Sequence, residues 1–368
     1  MTQRERALAV FKGETPDVVP WYADLSHWYA VERGTRFVPV AGHARDRDMV
    51  ELHRRCGAGL YLNLGTFYDV EYDSDDVRET VRVEGDVFRY TLATPLGVLV
   101  EQRDWSRVSF SWDITHRLIQ SVEDFPIVEL AVAARRYVPR YERHHEWDAE
   151  LGELGLPFAA AAYSGLGFLM SRYMGVENTV YALHDHPATV RRFVDTMNES
   201  VLRLIDVLVA SPSPVVFFSD NLDAVTQPPS LFRQYSAGCY AEMARRAHAA
   251  GKYVSVHLDG RMGGLLEALA ECGIDAVDAV TPAPMGDLTP EECRARAGED
   301  MILWGGIPPT AWEPRTPDSR FRDTVKRWLD LRLASPRLVL APGDQVPPGT
   351  EYRRIAEVAG LVEEYGRY

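Results

Sequence analysis

The segment Val254-Ser255-Val256-His257-Leu258-Asp259-Gly260 sets an imidazole and a carboxylate two residues apart in a run otherwise suited to a β-strand. Side chains alternate along a strand, so His257 and Asp259 share one face, at a spacing that can bring both to a single metal ion. A second acid, Asp344, follows a short apolar run in Ala341-Pro342-Gly343-Asp344-Gln345-Val346-Pro347-Pro348, and Asp220-Asn221 ends another. Ionisable groups in such surroundings are costly unless they are paired, metal-bound or open to a rim. Asp24 with His27, Asn63, and Tyr163 with Ser164 close three further apolar runs in the same way. Each alone has a plain structural account: a hydrogen-bonded core histidine, an Asp-Gly turn or helix cap, a loop aspartate after Pro-Gly. Together they suggest one cavity carrying an imidazole and as many as three carboxylates.

Bringing these residues together requires that the strand ends converge. Apolar runs at 18–25, 59–65, 158–165, 215–222, 253–260, 276–283, 301–308 and 338–345 alternate with segments of helical period, such as 229–250, which opens on Pro229-Ser230 and stops at Gly251. Eight βα units close most economically as a barrel, and no GxGxxG turn favours an open doubly wound sheet. The expected fold is therefore α/β, a (β/α)8 TIM barrel forming one domain over 1–368, with its site at the C-terminal strand ends. Between the second and third barrel strands, 78–115 departs from this rhythm. Its alternation around Glu84-Gly85-Asp86 and Pro95-Leu96-Gly97 predicts a β-hairpin insertion over one end of the barrel, whose aromatics Phe88, Tyr90, Trp105, Phe110 and Trp112 either wall a pocket or pack the insertion down.

Bulk properties narrow the partners. With 40 Lys and Arg against 54 Asp and Glu, the formal charge is −14, which repels phosphate backbones and anionic lipid. Nucleic acid and membrane are therefore not expected partners. The four cysteines, Cys56, Cys239, Cys272 and Cys293, are scattered without CxxC spacing, so neither a disulfide framework nor a thiolate zinc knuckle is expected. Neither a signal segment nor a long apolar run is present, and the expectation is a cytoplasmic protein.

The motifs, taken in order, resemble the uroporphyrinogen decarboxylase-like superfamily. Arg4-Glu5-Arg6-Ala7-Leu8 and Gly13-Glu14-Thr15-Pro16-Asp17-Val18-Val19-Pro20 are similar to its opening. Ser164-Gly165-Leu166-Gly167-Phe168-Leu169-Met170 with Tyr173-Met174, Ser219-Asp220-Asn221 with Gln227-Pro228-Pro229-Ser230-Leu231-Phe232, Gly286-Asp287-Leu288 and Trp304-Gly305-Gly306-Ile307 follow in register. One branch decarboxylates porphyrinogens without a cofactor; the other moves methyl or alkyl groups between corrinoid proteins and an acceptor at a zinc ion. The first branch grips its substrate with an Arg-Gln-Ala-Gly-Arg-Tyr segment, and Asp24-Leu25-Ser26-His27-Trp28-Tyr29 stands there instead, although Tyr173 matches. The second carries His-x-Cys and Pro-Gly-Cys where this chain has His257-Leu258-Asp259 and Pro342-Gly343-Asp344.

The resemblance thus implies a metal-dependent methyl- or alkyltransferase acting on a small methoxyl, thiol or amine compound. Its divalent ion, zinc foremost with manganese or iron as alternatives, would be held by His257, Asp259 and Asp344, because carboxylates in place of thiolates suit harder cations. Tyr173, Asp220 and Asn221 are the candidate catalytic groups, and Asp24, His27, Asn63, Tyr163 and Arg172 the candidate substrate contacts, Arg172 for a carboxylate. Arg33 and Arg36 are further candidates for an anionic group. Any corrinoid would ride on a separate protein, since Asp-x-His-x-x-Gly is absent, and a homodimer is the expected assembly. A metal-dependent lyase or hydrolase and a cofactor-free decarboxylase of a small acid are the competing readings.

Overall fold

The computed structural model describes residues 1–36, 47–62 and 66–368. The first helix, Gln3–Lys12, begins where Thr2 and Glu5 cap each other's backbone N–H and ends at Gly13, whose φ of 79° suits a residue without a side chain. Strand β1 (Leu60–Leu62) follows a helix at Arg47–Cys56. Next, β2 (Tyr68–Tyr72) pairs antiparallel with β7 (Arg135–Pro139). Between them in the chain lies a four-stranded antiparallel sheet of β3 (Arg78–Glu84), β4 (Val87–Thr94), β5 (Gly97–Ser106) and β6 (Ser111–His116).

The rest of the chain builds parallel structure from β8 (Gly155–Pro157), β9 (Ala159–Ala160), β10 (Val215–Leu222), β11 (Tyr253–Leu258), β12 (Ala276–Val280), β13 (Ile302–Ile307) and β14 (Leu338–Pro342). Strands β9 to β14 form one sheet in sequential order, every neighbouring pair parallel, while β1 pairs with β8. The expected first strand at 18–25 is reduced to single bridges: Trp21 with Leu340 of β14 and Tyr22 with Gly59 beside β1. Pro20 lacks a donor, which shortens any ladder there. Even so, Tyr22 N donates to Leu340 O at 3.0 Å and Gly59 N to Trp21 O at 2.7 Å, so this segment touches both the last strand and β1.

The helices lie outside these strands because their apolar residues recur at three and four. In Pro187–Val209 the buried stripe is Val190, Phe193, Val194, Met197, Val201, Leu204, Ile205 and Leu208. The expected helix at 229–250 is two helices, Pro229–Tyr235 and Ala237–Ala249, divided at Ser236. Side chains on the other strand face, among them Tyr22, Phe158, Phe217, Trp304 and Val339, form a separate core. Trp304 lies 4.8 Å, centroid to centroid, from both Tyr22 and Tyr61.

The four-stranded sheet buries Leu92 and Leu99 against Phe125, Val128 and Phe193 of the neighbouring helices. Val98 and Val100 are exposed on its other face, while Val81 and Val83, opposite Tyr90 and Phe88, are exposed on the same face as Leu92. The sheet's aromatics pair mainly with one another, Trp105 with Phe110 at 5.0 Å and with Trp112 at 5.5 Å, and Phe88 with Trp112 at 6.2 Å. They pack the sheet together and do not wall the main cavity.

Candidate functional site

Above the aromatic core, where the parallel strands end, opens a cavity of about 220 Å³. Strand alternation decides what enters it. From β10 the odd residues Phe217, Ser219 and Asn221 line the wall, and Asp220 points the opposite way. Asn221 sits at φ 42°, a left-handed conformation that asparagine tolerates better than most residues, where the pairing of β10 with β11 slips between Phe218 and Leu222.

Asp220 is therefore no cavity residue, which corrects its expected catalytic role. Fully buried, it accepts hydrogen bonds from Ser164 N at 2.8 Å, from the Ser164 hydroxyl and from Tyr240 Oη at 2.7 Å. It thereby fixes the start of the helical turn at Gly165, and a Cβ on Gly167 would fall 1.8 Å from its Oδ1. Burial raises its pKa, against the pull of Ser164 and Tyr240. Asp220→Ala is expected to lower the free energy of unfolding by about 2–4 kcal/mol, because three buried donors lose their acceptor. Chemical denaturation measures this, and a change below about 0.5 kcal/mol would show that the carboxylate anchors nothing.

His257 enters the cavity from β11. Its Nδ1 meets Asp278 Oδ2 at 3.1 Å, and Tyr61 Oη donates to Asp278 Oδ1 at 2.9 Å. Asp278 and Tyr61 both line the cavity, and neither was expected from the sequence. Asp24 accepts from Ser26 N at 2.8 Å, and Asp344 faces the cavity from the loop after β14. His53 also reaches the wall, with Nδ1 on Met49 O at 2.8 Å and Nε2 on Ala23 O at 3.1 Å; burial lowers its pKa. The described lining holds Asp24, Asp278 and Asp344 but neither lysine nor arginine.

This imbalance retains protons. Burial opposes charge on His257, but the hydrogen bond and charge of Asp278, with Asp344 and Asp259, outweigh it and raise the imidazole to about 9. Burial pushes Asp344 up to about 7; His257 resists the rise, while Asp259, Asp24 and Asp278 add to it. At neutral pH His257 accordingly keeps its proton and Asp344 is about half protonated.

The other expected site residues lie apart from this centre. Asp259 follows the end of β11, donating its backbone N–H to Leu222 O at 2.9 Å; it influences His257 electrostatically without lining the cavity. His27 Nε2 meets Ser109 O at 3.1 Å in the loop joining β5 to β6. Tyr173 stacks on Phe168 at 5.0 Å, close enough to Arg135 and Glu79 to feel their charge, and does not reach the wall. Tyr163 does line the cavity, with Arg172 near it. Asn63 lies outside the described residues.

The expected metal triad is not assembled. Zinc requires donors at about 2.0–2.3 Å from one centre. Among the described residues no three His, Cys, Asp or Glu side chains are grouped to hold an ion. Asp259 is set back from the cavity and one nitrogen of His257 is engaged by Asp278. His257, Asp259 and Asp344 thus do not fit zinc, manganese or iron in this arrangement. No helix among the described residues is long and apolar enough to cross a membrane.

With fold and site in view, comparison with known proteins defines the class. The family model for uroporphyrinogen decarboxylase (URO-D) matches residues 151–365. The chain belongs to this family. A methyltransferase from Methanosarcina mazei superposes with a TM-score of 0.65 over 99% of each chain, at 15% identity. D-psicose 3-epimerase from Clostridium cellulolyticum H10 reaches a TM-score of 0.34 at 13% identity, covering 66% of this chain and 80% of its own. The likeness to the methyltransferase, at so low an identity, speaks to the fold alone. No curated protein sequence matches the chain.

Proposed function

We propose that the chain is a (β/α)8-barrel enzyme that transfers a methyl or alkyl group from a small organic substrate, with residues 78–115 inserted as an accessory sheet. The bridges at Trp21 and Tyr22 support a closed circuit of strands. The observation that carries the chemistry is the acidic cavity around a single Asp278-bound imidazole, which keeps protons on His257 and Asp344.

When a nucleophile takes the methyl group from R–X–CH3, the bond from carbon to X breaks and X keeps the electron pair. That heteroatom needs a proton to leave as R–XH. Asp344 and His257 hold one in reach of the cavity, and general-acid assistance of this kind contributes roughly 10²–10⁴-fold. Asn221 and the Tyr163 hydroxyl are placed to orient the substrate, and the aromatic core beneath keeps water away. A corrinoid on a separate protein would supply the nucleophile.

A second reading, cofactor-free decarboxylation of a small acid, draws on the same protons, since a carbanion left by departing CO2 must also be protonated. One assay separates the two. The chain is mixed with a methoxylated aromatic acid, 13C-labelled at its carboxyl carbon, and cob(I)alamin. Methylcobalamin formation without 13CO2 is the expected result, and 13CO2 without methylcobalamin would replace alkyl transfer by decarboxylation. Metal content of the same preparation, read by plasma mass spectrometry, is expected to be equal in the native chain and His257→Ala. One equivalent of zinc, manganese or iron lost in His257→Ala and Asp344→Ala would instead establish a metal centre and displace the proton-donor mechanism.

A further inference from the structure

Beside the acidic cavity lies a group of opposite charge that the mechanism above does not use. Arg103, on β5, is buried, as is Glu101, which accepts its Nε at 2.6 Å and lies 2.5 Å from its Nη2. Arg103 also covers the ring of Phe88 at 5.1 Å. Arg117 lies close by, its Nη1 donating to Ser171 O at 3.2 Å. The third guanidinium, half-buried Arg172, has no hydrogen-bond or ion-pair partner for its side chain among the described residues.

Charge here is unbalanced. Glu101 is the one described carboxylate acting on Arg103 and Arg117, and Arg172 repels both. A buried guanidinium beside others of like charge is costly without an anion to answer it. Tyr163 connects this group to the cavity: it lines the wall, it feels both Arg172 and Arg103, and its hydroxyl has no partner among the described residues.

We infer that Arg172 and Arg103, with the Tyr163 hydroxyl, form a subsite for a carboxylate, so that the substrate carries an acid at one end and its reacting heteroatom at the other. Arg103 comes from the accessory sheet, which makes that sheet a specificity element. A planar carboxylate matches the paired donors of a guanidinium, and Arg172 has its donors free to supply them. Between the two ends, Tyr61, Tyr163 and Phe217 offer an apolar wall suited to a short or aromatic spacer. This substrate class rests on the alkyl-transfer reading, whereas the subsite itself does not.

The test uses 4-methoxybenzoate and 4-methoxybenzamide, alike in shape and different in charge, titrated into the full chain by calorimetry. The acid is expected to bind at least tenfold more tightly than the amide. Arg172→Gln, at a half-buried position that tolerates the change better than Arg103, is expected to erase the preference, and Arg172→Lys to restore part of it. Equal affinity for the two probes, failure of both to bind, or a preference that survives Arg172→Gln overturns the subsite. Tight binding of the acid without methyl transfer to cob(I)alamin would sink the proposed reaction and leave the subsite standing. Equal transfer rates from acid and amide would do the reverse.

Discussion

Asp344→Asn is expected to cut turnover by about two orders of magnitude while making the protein more stable above neutral pH. The activity loss follows from removal of a proton donor, worth roughly 10²–10⁴-fold in comparable steps. The stability gain follows from linkage. In the unfolded chain this carboxyl ionises near the usual aspartate value of about 3.9, whereas in the fold burial and Asp259, Asp24 and Asp278 hold it up to about 7. The folded state therefore binds the proton more tightly, and stability falls as pH rises between those values, with the full cost present above about 7. A shift of about three units sets a ceiling of about 4 kcal/mol; the attraction to His257 lost with the charge reduces the expected gain to about 1–2 kcal/mol. Thermal unfolding of both proteins should diverge at pH 8 and converge near pH 4. Loss of stability at pH 8 would mean that the carboxylate is answered by a cation, and would restore the metal reading.

The same substitution tests the shape of the pH profile. If Asp344 donates the proton, activity declines as pH rises through about 7, and the residual activity of Asp344→Asn lacks that limb. Rising pH thus lowers both stability and activity of the native chain, whereas the substitution moves them in opposite directions, as is common where like charges are crowded for function.

How much of this site could be read from the sequence depended on parity and on where strands stop. His257 was legible because its strand runs Val254 to Leu258 without interruption. Asp259 was paired with it by a period of two, but β11 ends at Leu258, and beyond a strand the alternation no longer dictates direction. Asp220 and Asn221 are adjacent, so a strand cannot send both inward. The cavity takes Asn221, and Asp220 anchors Ser164 and Tyr240. Asp278 was missed although its setting, Ala276-Val277-Asp278-Ala279-Val280, held the signal: a lone acid inside a short apolar strand demands a partner. Tyr61 carried no comparable signal, since a tyrosine in an apolar run is ordinary. The apolar runs located the strands well from β10 onward. Four strands between 78 and 116 and the pairing of β2 with β7 exceed the expected hairpins, because antiparallel partners are chosen by tertiary packing more than by local pattern.

Asp278→Asn is the sharpest test of how the site holds its protons. Asp278 is a positioning residue: it fixes His257 through Nδ1 and is itself held by Tyr61. Burial alone would drive the imidazole toward its neutral form, and Asp278 is the first of the groups that reverse this. Removing its charge is expected to bring the His257 pKa down by at least one unit from about 9, read by NMR titration of isotope-labelled histidine. At pH 8 a one-unit drop leaves about half of the rings without a proton and a two-unit drop about nine in ten, so kcat should fall about twofold to tenfold at that pH with a much smaller change in KM. Asp278→Glu, which keeps the charge, should recover part of both. Stability gives an independent reading. A histidine whose folded pKa exceeds its unfolded value near 6.5 contributes stability in full below 6.5, and this is lost as pH rises through about 9. The variant should therefore lose most of its pH dependence between 6.5 and 9. An unshifted histidine resonance with reduced kcat would instead mean that Asp278 acts on the substrate itself, and an unshifted resonance with unchanged kcat would remove the His257–Asp278 pair from the chemistry altogether.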